Sequence, residues 1–142
     1  MIPPLRRLAL FLTAAALASA ALPALALEVY ECKIKQLLSN GVWLPEVVVV
    51  AHEPGAAKAT VNDPLIEHFV GKPIDAKVET ENAKRTTFVW KLDAKNAFNQ
   101  NARFSYRLTV MKADLSASMA ASPGRFSNTF TSTGKCQRIR KK

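Results

Sequence analysis

The stretch FSYRLTV, residues 104–110, decides the fold class, because apolar and polar side chains alternate along it without interruption. One face carries apolar side chains, which are Phe104, Tyr106, Leu108 and Val110. The other face carries Ser105, Arg107 and Thr109. Alternation with a period of two predicts a β-strand that places one face in a core and the other in solvent.

The same alternation continues on both sides of this stretch. It occurs in VYECKIK at 29–35, PIDAKVET at 73–80, TFVWKL at 87–92, DLSASMAAS at 114–122 and GRFSNTFTST at 124–133. The run VVVV at 47–50 is continuously β-branched, which is typical of a strand that is buried on both faces or lies at the centre of a sheet. Two segments are less clear: 64–70 fits a short strand or a helical turn, and 93–103 fits a loop or one helical turn.

Turn residues separate these runs at intervals of about 8–12 residues, as in sandwiches and barrels. They are SNG at 39–41, EPG at 53–55, NDP at 62–64, GKP at 71–73, ENAK at 81–84, KAD at 112–114 and SPG at 122–124. About eight strands joined by mostly short loops predict an all-β fold with antiparallel neighbours. We expect a small up-and-down β-barrel, with a two-sheet β-sandwich as the alternative.

The N-terminal segment has the pattern of a secretory signal peptide. Arg6 and Arg7 precede an apolar run that is short for a membrane span, and the triplet Ala24-Leu25-Ala26 follows it. We place cleavage after Ala26, with Ala20 as the alternative site. Residues 1–26 are then the signal, residues 27–137 a single domain and residues 138–142 a basic tail. The predicted location is exported, either periplasmic or extracellular.

The positive charge is concentrated at the C-terminus. The chain carries a formal charge of +9, and without Arg6, Arg7 and the five basic residues of 135–142 it retains 13 basic against 11 acidic residues, or +2. A net charge this close to neutral does not indicate a basic folded face, so we expect no nucleic-acid partner. The tail residues Arg138, Arg140, Lys141 and Lys142 suit weak contact with an anionic membrane surface.

The chain has two cysteines, Cys32 near the start of the predicted domain and Cys136 near its end. In an oxidising compartment they are expected to form one intramolecular disulfide, although spacing alone also allows free thiols or an intermolecular bridge. A bridge of this kind requires the first and last strands to lie side by side or to face each other across two sheets.

No catalytic motif stands out, and no cofactor is expected. His52-Glu53 and Glu67-His68 form a mirrored pair of potential zinc ligands, which makes His52 and His68 weak metal candidates. Neither pair has the helical spacing of a zinc motif, and both adjoin turn residues, so surface histidines are the simpler interpretation. Glycine-rich phosphate loops and nucleophile elbows are absent from the sequence.

The aromatic side chains suggest either a core or a ligand pocket. Tyr30, Trp90, Tyr106 and Asn128 are predicted to face inward, and an apolar wall with a few polar groups is typical of a small-ligand site. The alanine-rich strand at 117–121 leaves room for a ligand beside them.

The YEC sequence at 30–32 and the late Cys136 resemble small exported barrels, including the periplasmic inhibitors of lysozyme. The inhibitory loop motifs of those proteins have no counterpart here, so the resemblance stops at these residues and implies no function. We expect a monomeric, non-enzymatic exported domain that binds a small apolar ligand. The alternatives are an inhibitor or protein-interaction domain acting through its loops and, third, a metal-dependent enzyme.

Overall fold

In a computed structural model, which describes residues 26–37, 43–95, 100–124 and 128–139, the chain forms eight β-strands and one short α-helix. The strands are β1 (Glu28–Ile34), β2 (Val47–His52), β3 (Lys58–Asn62), β4 (Ile74–Glu81), β5 (Arg85–Lys95), β6 (Asn101–Met111), β7 (Ser116–Pro123) and β8 (Phe130–Ile139). The helix, α1 (Pro64–Phe69), lies between β3 and β4.

The strands form one closed barrel in chain order. Each strand pairs antiparallel with the next, and β8 pairs antiparallel with β1 to close the sheet. The predicted up-and-down barrel is confirmed, and the sandwich alternative is not adopted. Closure gives every strand a partner on both sides, which removes the free edges that promote aggregation.

The β5–β6 hairpin is the longest pairing, with a register that runs from Arg85 opposite Met111 to Lys95 opposite Asn101. The prediction of a loop or one helical turn over 93–103 is therefore wrong at both ends, because β5 and β6 extend into this segment. An ion pair at 2.7 Å between Arg103 Nε and Asp93 Oδ1 joins the two strands there. Residues 96–99 lie outside the described part of the chain.

The barrel interior is an apolar core built by the inward face of every strand. Directly opposite side chains form rows across the barrel, and one such row is Phe88, Leu108, Met119 and Ser132. The valine run obeys the same alternation: Val48 and Val50 are buried, whereas Val47 and Val49 are half-buried. Of the two interpretations of this run, burial on both faces is wrong, because its second face lies on the outer wall, whereas β2 does have a paired strand on each side.

Segment 64–70, left open between strand and helix, forms α1. Asp63 caps the helix, since its Oδ1 accepts hydrogen bonds from the backbone nitrogens of Leu65 (2.8 Å) and Ile66 (2.9 Å). Pro64 occupies the first turn, where its missing N–H costs nothing. Ile66 is fully buried in the core. α1 therefore lies at the end of the barrel where β3 ends and β4 begins.

The last two strands differ in their bounds from the sequence pattern. Leu115 has a φ of 58°, a left-handed backbone conformation in the β6–β7 turn, so β7 begins one residue after it. β8 begins at Phe130 and continues to Ile139. The boundary placed after residue 137 is therefore two residues short, because Arg138 and Ile139 pair with β1.

Candidate functional site

Three of the four predicted pocket residues lie in the core. Tyr30, Trp90 and Tyr106 are all buried, and the rings of Trp90 and Tyr106 stack with centroids 5.6 Å apart. The Tyr106 hydroxyl donates a hydrogen bond of 3.0 Å to the backbone carbonyl of Trp43. The prediction for Asn128 is wrong: it is exposed and precedes β8, because the strand begins only at Phe130.

Both buried tyrosines remain protonated donors at neutral pH. Burial raises the pKa of the Tyr30 hydroxyl, and so does its hydrogen bond of 2.6 Å to Glu28 Oε2. Burial also raises the pKa of the Tyr106 hydroxyl, and the negative charge of Asp63 adds to the effect. These groups hold the core in place, and neither has the lowered pKa that a tyrosine nucleophile or base requires.

The cysteines form the predicted disulfide. Cys32 and Cys136 are bonded, lie directly opposite each other in β1 and β8, and face the interior. A disulfide of this kind is typical of proteins from oxidising compartments.

The two histidines do not share a site. β2 ends at His52 and α1 follows the antiparallel β3, so His52 and His68 lie at opposite ends of the barrel. The interpretation as a surface histidine is wrong for His52, which is buried and has its Nε2 3.4 Å from Glu81 Oε2. His68 is exposed. Within the described ranges no three His, Cys, Asp or Glu residues are placed to hold a metal ion.

An open cavity of about 870 Å³ lies on the outer wall of the barrel, across β3 to β7. We call it the outer groove. Its apolar lining includes Ala57, Val89 and Ala120, which are exposed or half-buried. Val89 and Ala120 stand on either side of Arg107 in one row of directly opposite residues. Trp90 and Tyr106 also border the groove, although their rings belong to the core.

Positive charge dominates the lining of the outer groove. Of the described residues that line it, four are basic, Lys58, Lys77, Lys91 and Arg107, and two are acidic, Asp75 and Glu79. One acid is already engaged, because Arg107 Nη2 lies 2.9 Å from Glu79 Oε2. Lys58 and Lys77 lie directly opposite each other in β3 and β4, a like-charge pair that costs stability. The groove can therefore offer cations beside an apolar surface.

The alternating pattern does not indicate this site, because the apolar residues that it identifies face inward. The outward faces of the strands carry the relevant residues, since lysines at 58, 77 and 91 lie there together with Val89. Their proximity can be predicted only from the pairing registers of the strands, which include a shift between Val78 and Thr80 in β4.

The basic tail is only partly separate from the barrel. Arg138 lies in β8 opposite Tyr30, with its guanidinium carbon 5.8 Å from the centre of the Tyr30 ring. A cation at this distance over an aromatic ring is attracted to it. The other predicted tail residues, Arg140, Lys141 and Lys142, lie outside the described residues, as do residues 1–25 of the predicted signal segment 1–26.

Across the residues that the structure describes, the helix present is too short and too polar to cross a membrane. Comparison of the chain with protein-family models, with curated proteins and with solved structures finds no match in any of the three.

Proposed function

We propose that this chain is an exported, non-enzymatic binding domain that holds an anionic amphiphile in the outer groove. The observation that carries the proposal is the arrangement of Lys58 and Lys77 directly opposite each other beside the apolar lining at Val89 and Ala120. An amphiphile with one negative group and an alkyl chain satisfies both features at once.

Export is supported by two independent features. Residues 1–26 have the order of charged, apolar and small residues that a signal peptide has. The Cys32–Cys136 disulfide fits the oxidising compartment to which such a signal leads.

The alkyl chain of the ligand is expected to contribute more to the binding free energy than its charged group does. Each buried methylene contributes about 0.8 kcal/mol. An exposed lysine near an anion contributes about 1 kcal/mol at most, and salt weakens it. The lysines therefore orient the ligand and select the sign of its charge, and the apolar lining supplies most of the binding energy.

The proposal is tested by titration calorimetry with dodecyl phosphate below its micellar concentration. Dodecyl maltoside, which has the same chain without charge, and octyl phosphate, which has the same charge on a shorter chain, serve as comparison ligands. We expect dodecyl phosphate to bind most tightly, and octyl phosphate to lose up to about 3 kcal/mol if all four missing methylenes are buried.

Matched variants localise the binding. Replacing Lys58 and Lys77 by alanine is expected to weaken dodecyl phosphate binding about tenfold and to leave maltoside binding unchanged. Lys72→Ala, an exposed lysine outside the groove, is the control and should bind like wild type. Equal affinity of the double variant and wild type for dodecyl phosphate would overturn the proposal, as would no measurable binding of either dodecyl ligand.

A further inference from the structure

A second group of lysines lies on the outer wall where β1 and β8 meet. Lys33 in β1 is directly opposite Lys135 in β8, and both are exposed. Lys35 occupies the next outward position beyond Lys33, and its backbone nitrogen donates to the carbonyl of Thr133 at 2.9 Å. We call Lys33, Lys35 and Lys135 the lysine cluster.

The lysine cluster borders a cavity of about 540 Å³ that shares no lining residue with the outer groove. The same cavity is lined by the hydroxyl side chains of Ser116, Ser118 and Thr133, and none of the described residues that line it is acidic. Within the part of the chain that the structure describes, no ion pair includes a lysine of the cluster. Three cations therefore share a hollow with hydroxyl donors, and its described lining residues supply no counter-charge.

Two acids in segments next to the cluster, Asp114 and Glu31, have other hydrogen-bond partners. The Asp114 carboxylate accepts hydrogen bonds from the backbone nitrogen and the hydroxyl of Ser116, and Lys135 acts on it only through its charge. On β1, Glu31 accepts a hydrogen bond of 3.1 Å from Gln137.

Two features keep the repelling lysines opposite each other. The disulfide joins the neighbouring pair of positions, Cys32 and Cys136, so β1 and β8 cannot slip in register. Gly134 lets the strands approach closely, because a Cβ at that position would overlap the carbonyl oxygen of Lys33. Like charges directly opposite each other destabilise a sheet, and here the fold holds them together.

We propose that the lysine cluster binds a tetrahedral oxyanion group of the phosphate or sulfate class. Lys33, Lys35 and Lys135 would neutralise its charge, and the hydroxyls of Ser118 and Thr133, which lie opposite each other in β7 and β8, would donate hydrogen bonds to its oxygens. The group is either a free oxyanion or the headgroup of an anionic lipid, and the two sources share this chemistry.

The test compares two double variants of equal charge. One is Lys33→Gln with Lys135→Gln, and the control is Lys72→Gln with Lys84→Gln, two exposed lysines in turns outside the cavity. Melting temperatures are measured in sodium chloride and in up to about 10 mM sodium phosphate at constant ionic strength, which removes general screening from the comparison.

We expect phosphate to raise the melting temperature of wild type and of the control, and to have no effect on the cluster variant. Without phosphate, the cluster variant should melt a few degrees higher than wild type, because the repulsion is gone. The cluster variant should therefore lose the phosphate response and yet melt at a higher temperature without phosphate. A purely structural role of the lysines would not produce this combination. A cluster variant that keeps the phosphate response, or a wild type that responds equally to chloride, would overturn the proposal.

Sedimentation with vesicles distinguishes the two sources. Binding to phosphatidylglycerol vesicles but not to phosphatidylcholine vesicles, lost in the cluster variant and displaced by phosphate, identifies a lipid headgroup as the ligand. A phosphate response without vesicle binding identifies a free oxyanion. The absence of both responses in wild type would contradict the proposed oxyanion site. It would leave the outer-groove proposal standing, because the described linings of the two cavities share no residue.

Discussion

Cys32 and Cys136 lie directly opposite each other in β1 and β8, and the disulfide between them joins the first strand of the barrel to the last. The bond spans 104 positions of sequence and faces the core. It therefore fixes both the closure of the barrel and the register of the closing strands. The outward neighbours of this pair, Lys33 and Lys135, are opposite each other for the same reason.

Removing the disulfide is expected to lower the free energy of unfolding by about 4 kcal/mol, since the bond restricts the unfolded chain over a long loop. Cys32→Ala, Cys136→Ala and the double variant should lose similar amounts, because each removes the same bond. Urea unfolding of the three variants measures this. A double variant that loses about twice as much as either single variant would contradict it.

Gly134→Ala is expected to lower the free energy of unfolding by about 1–3 kcal/mol, because the new Cβ overlaps the Lys33 carbonyl and must force β1 away from β8. Gly55→Ala is the comparison: its φ of 85° strains an alanine by about 1 kcal/mol, but its Cβ meets no neighbouring atom within 4 Å. Thermal or urea unfolding should rank Gly134→Ala as the more damaging, and the reverse order contradicts the close approach.

Alkaline pH is expected to destabilise the barrel through Tyr106. Because burial raises the pKa of its hydroxyl in the folded state, the contribution is fully present below the unfolded value of about 10 and is lost as pH rises above it. Tyr106→Phe should cost about 1 kcal/mol at pH 7, where the hydrogen bond to Trp43 is lost. Its stability should then fall less steeply than that of wild type between about pH 9 and 11. Parallel slopes would show that Tyr106 does not carry the effect.

Truncation at the C-terminus is expected to depend on where it begins. Deleting residues 138–142 removes the pairing of Arg138 and Ile139 with β1 and the contact of Arg138 with Tyr30. This deletion should cost about 1 kcal/mol more than deleting 140–142, since cation–π contact and strand pairing each contribute a fraction of that amount. Equal melting temperatures for the two truncated proteins would show that the residues of β8 after Gln137 contribute no stability.

The sequence predicts the strands well where one face is apolar and the other polar. Phe104, Tyr106, Leu108 and Val110 alternate as a half-buried strand must, and the structure places all four in the core. Closure was harder to predict, because a disulfide between the first and last strands fits both a barrel and two facing sheets. The sequence pattern misplaces Asn128, because the alternation of Phe126, Asn128 and Phe130 starts before the residue at which β8 begins.

Candidate binding residues were harder to predict than the core, because they depend on register. Once Cys32 is placed opposite Cys136, antiparallel pairing puts Lys33 opposite Lys135, so the lysine cluster follows from the disulfide. The outer groove has no such anchor. Its Lys77 and Val89 are opposite each other just before the register shift in β4, and no sequence signal marks that shift.

The measurement that tests the central claim most directly is an amide chemical-shift titration of the ¹⁵N-labelled protein with dodecyl phosphate. The account predicts the largest shifts along the outer groove, at Lys77, Val89 and Ala120, with no counterpart in a titration with inorganic phosphate. Shifts confined to those that inorganic phosphate also produces, or shifts centred on the core aromatics Trp90 and Tyr106 without change at Val89, would contradict it.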